Sequence, residues 1–222
     1  MITSFDSYTK LSKTVADIVE MQLSRKADSK FVLPTGSTPM GLYSELASRE
    51  LDWSNAMTFN LDIYIMNPNH PQSYQTYMKE NFFNKISIYP NNCLFPSKPT
   101  LAYEDIINHF GGIDLCILGI GSNGHIAFNE PGSSFKSRTR VVELSEQTIQ
   151  DNARFFDSIE DVPTKAITMG LGTIMEAEKI ILMANGVKKK SILNQAIYGT
   201  VTEEIPASIL QKHKHAEIYY CD

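Results

Sequence analysis

The sequence predicts an α/β protein: a single three-layer α/β/α domain over residues 1–222, built on a mostly parallel, Rossmann-like sheet. Short apolar runs alternate with stretches of helical spacing, and this alternation is typical of βαβ units whose sheet is covered on both faces. A length of 222 residues suits one domain. The content of 42% hydrophobic and 20% charged residues is ordinary for a globular protein and excludes disorder over most of the chain.

Two periodicities locate the elements along the chain. Apolar residues at helical spacing predict helices over about 6–25, 39–49, 73–83 and 188–198. Short continuous apolar runs predict buried strands at 31–33, 57–61, 113–120, 179–184 and 216–220. Residues 165–170 predict a strand end or a loop, and a short helix follows at 173–177.

Charge and cysteine content narrow the classes of protein. The chain has 20 Lys and Arg against 25 Asp and Glu, a net charge of −5, which argues against nucleic acid or an anionic membrane as the main partner. The three cysteines lie far apart, so we expect neither a disulfide framework nor a Cys-x-x-Cys metal site, and a cytoplasmic location is favoured. The first residues lack the pattern of a signal peptide, and no run approaches the ~20 apolar residues of a membrane span.

Ligands of parallel sheets bind at the carboxyl ends of the strands, and this rule first points to the loop after the strand at 31–33. The loop contains Thr35, Gly36, Ser37 and Thr38. The glycine permits close backbone approach, Pro39 suits the first position of a helix, and Thr38 suits its N-cap. Free N–H groups at a helix start attract phosphate, so the loop is either a phosphate site or a plain helix cap. It has neither the P-loop spacing nor the dinucleotide-binding spacing of Gly and Lys.

Two further loops carry candidate groups for proton transfer. Asp62 follows the strand at 57–61, where it is either a site residue or the cap of a turn. Residues 119–131 follow the clearest strand and contain three glycines, His125 and Glu130. A histidine suits proton transfer near neutral pH, and a carboxylate can fix its tautomer. The other histidines show no ligand spacing with His125, so no metal site is predicted.

Several stretches together resemble the family of glucosamine-6-phosphate deaminases/isomerases, which is related to the 6-phosphogluconolactonases. The stretches that carry the resemblance are 31–43, 59–64, 70–74, 119–131, 137–140, 152–156 and 201–208. The run His-Ile-Ala-Phe-Asn-Glu-Pro at 125–131 is highly specific, because the lactonases continue differently after a similar histidine loop. The resemblance covers nearly the whole chain, in order.

The resemblance implies an enzyme that converts glucosamine 6-phosphate to fructose 6-phosphate and ammonia, by isomerisation and deamination, without a metal or an organic cofactor. It makes Asp62 the base that moves a proton between C2 and C1. It assigns ring opening to His125, with Glu130 and Asn123 completing the catalytic set. The residues that it implies for phosphate binding are those of the loop, Thr35, Gly36, Ser37 and Thr38, together with Arg154 and Lys189.

The chain departs from the family pattern at Ile63, where the family has a second acid. Without that neighbour, we expect less like-charge pressure on Asp62 and a lowered pKa of its carboxyl. A second departure is Val142, which stands where regulated hexameric members carry a basic residue, and the chain stops close after its last predicted strand. The resemblance therefore implies a monomer without allosteric activation.

Other functions stay open at this point. A galactosamine-6-phosphate deaminase giving tagatose 6-phosphate would act on the C4 epimer. A hydrolase like the 6-phosphogluconolactonases would keep His125 but would not need a base at Asp62. A non-catalytic sugar-phosphate sensor would need the phosphate loop alone, and the presence of Asp62, His125 and Glu130 together argues against it.

Overall fold

Ten short strands and seven α-helices make up most of the fold in the computed structural model, which describes residues 1–97 and 102–222. The strands are β1 (Ile2–Phe5), β2 (Lys30–Leu33), β3 (Met57–Asn60), β4 (Asp62–Tyr64), β5 (Cys93–Leu94), β6 (Leu115–Leu118), β7 (Arg140–Glu143), β8 (Lys165–Thr168), β9 (Lys179–Asn185) and β10 (Ala216–Cys221). The helices are α1 (Tyr8–Arg25), α2 (Met40–Ala47), α3 (Tyr74–Asn81), α4 (Ala102–His109), α5 (Glu146–Ala153), α6 (Leu171–Ile174) and α7 (Lys190–Tyr198). Short 3-10 segments lie at Phe83–Lys85, Pro90–Asn92, Ile159–Asp161, Val187–Lys189 and Pro206–Lys212. Within residues 1–97 and 102–222, no helix has both the length and the apolar character that a membrane crossing requires.

The main sheet contains seven strands in the order β1-β10-β9-β6-β2-β3-β5, and all its neighbouring pairs are parallel. Apolar side chains on one face pack against α1, α2 and α3. Those on the other face pack against α4, α6 and α7. The predicted three-layer α/β/α arrangement is confirmed, whereas the organisation of residues 1–222 as one domain stays a prediction.

Strand β2 shows how the sheet divides the core. Phe31 and Leu33 pack in the layer of α1 and α2, whereas Val32 packs in the opposite layer, because successive side chains of a strand point to opposite faces. Helix α1 begins after Ser7, whose hydroxyl accepts the backbone N–H of Lys10 at 3.2 Å. The predicted helix at 6–25 therefore starts with a side-chain cap.

A second sheet of three antiparallel strands, in the order β4-β8-β7, was not predicted. Asp62 consequently lies in a strand and not in a loop. Each of these strands is three or four residues long, too short for an alternating pattern to stand out in the sequence. Strand β4 follows β3 after the single residue Leu61, so the sequence contains no turn signal that would separate the two strands.

Candidate active site

A cleft of about 250 Å³ lies where the main-sheet strands β2, β3 and β6 end. The predicted site residues on its wall are Thr35, Gly36, Ser37, Thr38, Asp62, His125, Arg154 and Lys189. The remaining two, Asn123 and Glu130, contact the ring of His125. The structure therefore brings together the full set that the resemblance implied.

Asp62 is the buried acid of the cleft. It is the first residue of β4, and only 7% of its surface is exposed. Burial raises the pKa of Asp62 to about 7, because the charged carboxylate is disfavoured away from water. Near neutral pH such a carboxyl is present in both protonation states, which suits a group that must accept a proton and return it.

Ile63 faces away from the cleft. Successive residues of a strand point to opposite sides, and Ile63 lines a separate pocket with Met66 and Pro68. The expectation that the missing acid at position 63 lowers the pKa of Asp62 is therefore wrong. The pKa is raised, and burial is the cause.

The ring of His125 is held by Asn123. Nδ1 of His125 lies 2.7 Å from Oδ1 of Asn123, and the backbone N–H of His125 donates to the same oxygen at 3.2 Å. An amide oxygen only accepts, so we assign the proton to Nδ1, and Nε2 can exchange a proton with a ligand. Gly121 lies against the ring, where a Cβ would be 2.2 Å from the nearest ring atom. Any side chain at position 121 would displace His125.

Glu130 places a carboxylate that is ionised at neutral pH beside the ring of His125. Its Oε2 accepts from Nδ2 of Asn123 at 2.7 Å and lies 3.5 Å from Nδ1 of His125. Its Oε1 accepts from the hydroxyls of Thr148 and Ser145. Burial alone would raise the pKa of Glu130, but His125 and the other donors prevail and hold it at about 2. The carboxylate therefore stabilises the positive charge that the ring acquires when it takes up a proton.

A strained turn at 126–129 separates the histidine from the glutamate. Ala127 has a φ of 52°, a left-handed conformation that costs a residue with a Cβ roughly 1–2 kcal/mol. Buried Asn129 holds the turn, because its N–H donates to the carbonyl of Ile126 at 3.0 Å and its Nδ2 donates to the carbonyl of Met169 at 2.8 Å. Asn129 was not among the predicted site residues, although its place inside the specific motif at 125–131 was a signal.

The loop between β2 and α2 offers backbone donors to the cleft. Gly36 has a φ of 95°, a conformation that favours glycine. Within the described residues, no backbone carbonyl accepts the N–H groups of 35–38. Arg154, exposed at the end of α5, and Lys189, half-buried before α7, add positive charge. N–H groups and cations on one wall favour an anion such as phosphate.

The start of α2 differs from the prediction. The helix begins at Met40 with Pro39 as its N-cap, so Thr38 is not the cap residue and Pro39 is not the first helical residue. The physical reason is Tyr8 of α1, whose hydroxyl accepts the backbone N–H of Gly41 at 2.6 Å. A side chain from another helix therefore satisfies a donor that a local cap would otherwise take.

The cleft combines a buried base, an imidazole with a fixed tautomer, and an anion site. This combination can move protons on a small anionic substrate while its charged group is held at a distance. Among the described residues, no group of three or more His, Cys, Asp or Glu side chains could hold a metal ion.

This chain belongs to the family described as glucosamine-6-phosphate isomerases/6-phosphogluconolactonase, whose model matches residues 3–220. The resemblance inferred from the sequence motifs is thereby confirmed. Among curated proteins, glucosamine-6-phosphate deaminase 2 of Bacillus subtilis (strain 168) is 49% identical over 228 residues, which cover 96% of this chain and 91% of that protein. The glucosamine-6-phosphate deaminase of Thermoanaerobacter sp. (strain X514) is 47% identical over 224 residues, which cover 96% and 88%.

Solved structures show the same relationship. A monomeric glucosamine-6-phosphate deaminase matches with a TM-score of 0.95 at 38% sequence identity, over 99% of this chain and 96% of that chain. The 6-phosphogluconolactonase from Trypanosoma cruzi matches with a TM-score of 0.79 at 22% identity, over 99% and 93%. At that identity the likeness shows a shared fold alone.

Proposed function

We propose that this chain is an enzyme that converts glucosamine 6-phosphate and water to fructose 6-phosphate and ammonia. The observation that carries the proposal is the buried Asp62, which shares its cleft with His125 and the donor loop at 35–38. The relatives described as glucosamine-6-phosphate deaminases support it. Hydrolysis of a lactone removes no proton from carbon, so it would leave the buried base without a task.

Ring opening is the first step of the proposed reaction. Nε2 of His125 takes the proton of the anomeric hydroxyl and returns a proton to the ring oxygen. Asn123 holds the ring through Nδ1, and Glu130 stabilises the imidazolium between the two transfers. The resulting open-chain aldehyde makes the hydrogen on C2 acidic.

Asp62 then acts on the two carbons. Its carboxylate removes the proton from C2 and delivers it to C1, while a proton of the amino group passes to O1. These transfers leave a hydroxymethyl group at C1 and an imine at C2. Water adds to the imine carbon and ammonia leaves, so one water is consumed for each ketone formed. The raised pKa of Asp62 suits both halves of the transfer.

We assign the phosphate to the loop at 35–38, with Arg154 and Lys189. Because the phosphate is bound away from the reacting carbons, its binding positions C1 and C2 against Asp62. Unphosphorylated glucosamine should therefore be a poor substrate.

We also propose that the protein acts as a monomer without a cofactor and in the cytoplasm. The solved relative described as monomeric supports the first part. Light scattering should show a single chain, and kinetics should be hyperbolic and unaffected by N-acetylglucosamine 6-phosphate. A hexamer, or activation by that compound, would contradict the monomer.

A substrate panel tests the proposed function. The purified protein is incubated separately with glucosamine 6-phosphate, galactosamine 6-phosphate and 6-phosphogluconolactone, with unphosphorylated glucosamine as the control. Equal amounts of ammonia and fructose 6-phosphate from the first compound are expected. Turnover of the galactosamine compound alone would make the protein the epimer-specific enzyme. Turnover of the lactone alone would make it a hydrolase, and binding without turnover a sensor.

A further inference from the structure

Tyrosine hydroxyls from the flanking helices hold the carbonyl oxygens of the loop at 35–38. Tyr77 of α3 donates to the carbonyl of Gly36 at 2.6 Å. The N–H of the same peptide group belongs to Ser37, and the C=O and N–H of a planar trans peptide point in opposite directions. Tyr77 does not line the cleft, whereas Gly36 and Ser37 do. A carbonyl fixed on the outer side therefore turns the N–H of Ser37 inward.

Tyr8 holds the other end of the loop. Its hydroxyl donates to the carbonyl of Thr38 at 2.8 Å and accepts the N–H of Gly41 at 2.6 Å. A Cβ at Gly41 would lie 2.8 Å from the Tyr8 ring. The glycine thus lets the tyrosine lie across the first turn of α2 and connect the loop to the helix.

Both tyrosines act from outside the cleft. Neither lines its wall, so neither can touch a ligand bound there. Tyr77 stays a donor at any working pH, because burial raises the pKa of its hydroxyl further above the usual range. A third tyrosine, Tyr43, donates in the same way to the carbonyl of Pro34.

We infer that Tyr77 and Tyr8 are positioning residues that set the phosphate affinity of the loop at 35–38 without contacting the ligand. The inference rests on the proposed function for the phosphorylated nature of the substrate. It adds the reason why this loop, which lacks the glycine spacing of a P-loop, presents its N–H groups inward. Helices α1 and α3, which cover one face of the sheet, thus also orient the N–H groups of the phosphate loop.

The test measures binding of inorganic phosphate by calorimetry to the wild type, Tyr77→Phe and Tyr8→Phe. Each variant keeps the ring and removes the hydroxyl, so the dissociation constant for phosphate should rise roughly five- to tenfold. The KM for glucosamine 6-phosphate should rise by the same factor, while kcat stays within about twofold. Tyr89→Phe is the matched control, because this tyrosine is 62% exposed and does not line the cleft. It should change neither constant.

Unchanged phosphate affinity in both variants would overturn the inference, as would a fall in kcat with phosphate affinity intact. In the wild type, phosphate should shift the amide resonance of Ser37 in a nitrogen-15 spectrum, and no shift there would also overturn it. This measurement does not depend on the folding of any variant. If the wild type releases no ammonia from glucosamine 6-phosphate, the proposed function fails, and the phosphate measurements still decide the inference.

Discussion

Thr168 lies directly opposite Asp62 in the antiparallel pairing of β4 with β8. The hydroxyl of Thr168 accepts the backbone N–H of Phe128 at 3.1 Å, and Phe128 lies in the strained turn between His125 and Glu130. One threonine thus connects the strand that carries the acid with the loop that carries the imidazole. This contact therefore links the two segments that position Asp62 and His125.

Thr168→Val should lower kcat about tenfold and reduce the free energy of unfolding by about 1–3 kcal/mol. The change keeps the shape of the side chain but leaves the buried N–H of Phe128 without its acceptor. Turnover assays and urea unfolding measure the two effects. Thr168→Ser keeps the hydroxyl and should retain most of the wild-type kcat and most of the free energy of unfolding. A valine variant with wild-type kcat would show that the contact does not position the site.

The raised pKa of Asp62 predicts a pH-dependent effect on stability. The carboxyl has a pKa of about 7 in the fold, against 3.8 for an ordinary aspartate exposed to water. Between these values the unfolded chain has lost the proton that the folded protein keeps, so the free energy of unfolding falls as pH rises through this interval. Asp62→Asn removes this pH-dependent loss of stability, which amounts to roughly 1.4 kcal/mol for each unit by which the pKa is raised. It should therefore stabilise the protein by a few kcal/mol at about pH 8.

Urea unfolding at about pH 4 provides the control for this prediction, because there the carboxyl is largely protonated in the folded state and only half ionised in the unfolded one. The stabilising effect of Asp62→Asn should shrink strongly at that pH. An effect of equal size at both pH values would mean that burial does not raise the pKa of Asp62.

Ile63→Glu should leave the acidic limb of the kcat/KM profile against pH unchanged. A new carboxylate at this position would lie in the pocket of Met66 and Pro68, on the opposite side of β4 from Asp62. The departure from the family pattern is then one of structure and not of catalysis. An upward shift of that limb would show that the two carboxylates interact.

Glu130→Gln should slow turnover of the cyclic sugar and destabilise the protein at neutral pH. The pKa of Glu130 is lowered from 4.5 to about 2, so its contribution to stability is present above 4.5 and is lost as pH falls toward 2. The amide keeps the shape and removes the charge beside His125, and the expected loss is about 3 kcal/mol. Unfolding measured at about pH 7 and about pH 3 tests this. A loss that does not diminish at the lower pH would contradict it.

Local patterns in the sequence predicted five of the seven main-sheet strands, because central strands such as β2, β6 and β9 are continuous apolar runs covered on both faces. They missed the two edge strands, β1 and β5. They could not predict β4, whose pairing partner β8 lies about a hundred residues further along the chain. The motifs placed Asp62 and His125 at strand ends, where the structure has them on one cleft. The pKa of Asp62 could not be inferred, because it depends on burial by residues distant in sequence.

The supporting contacts were equally hidden. Thr38 looked like a helix cap, yet the N–H of Gly41 is satisfied by Tyr8 from another helix, 33 positions earlier. Thr168 carries no local signal, since its role depends on Phe128, 40 positions away. Side-chain hydrogen bonds between distant segments follow from the fold and not from any sequence window.

Ammonia release from glucosamine 6-phosphate by the wild type and by Asp62→Asn tests the proposed reaction most directly. The amide keeps the shape of the acid but cannot accept the proton from C2, and loss of a general base costs about 10²–10⁴ in rate. Phosphate affinity, measured in parallel, should stay close to that of the wild type because Asp62 does not belong to the donor loop. We expect stoichiometric ammonia and fructose 6-phosphate from the wild type and a loss of that size in the variant. No ammonia from the wild type, or near-normal kcat in Asp62→Asn, would contradict the proposed reaction.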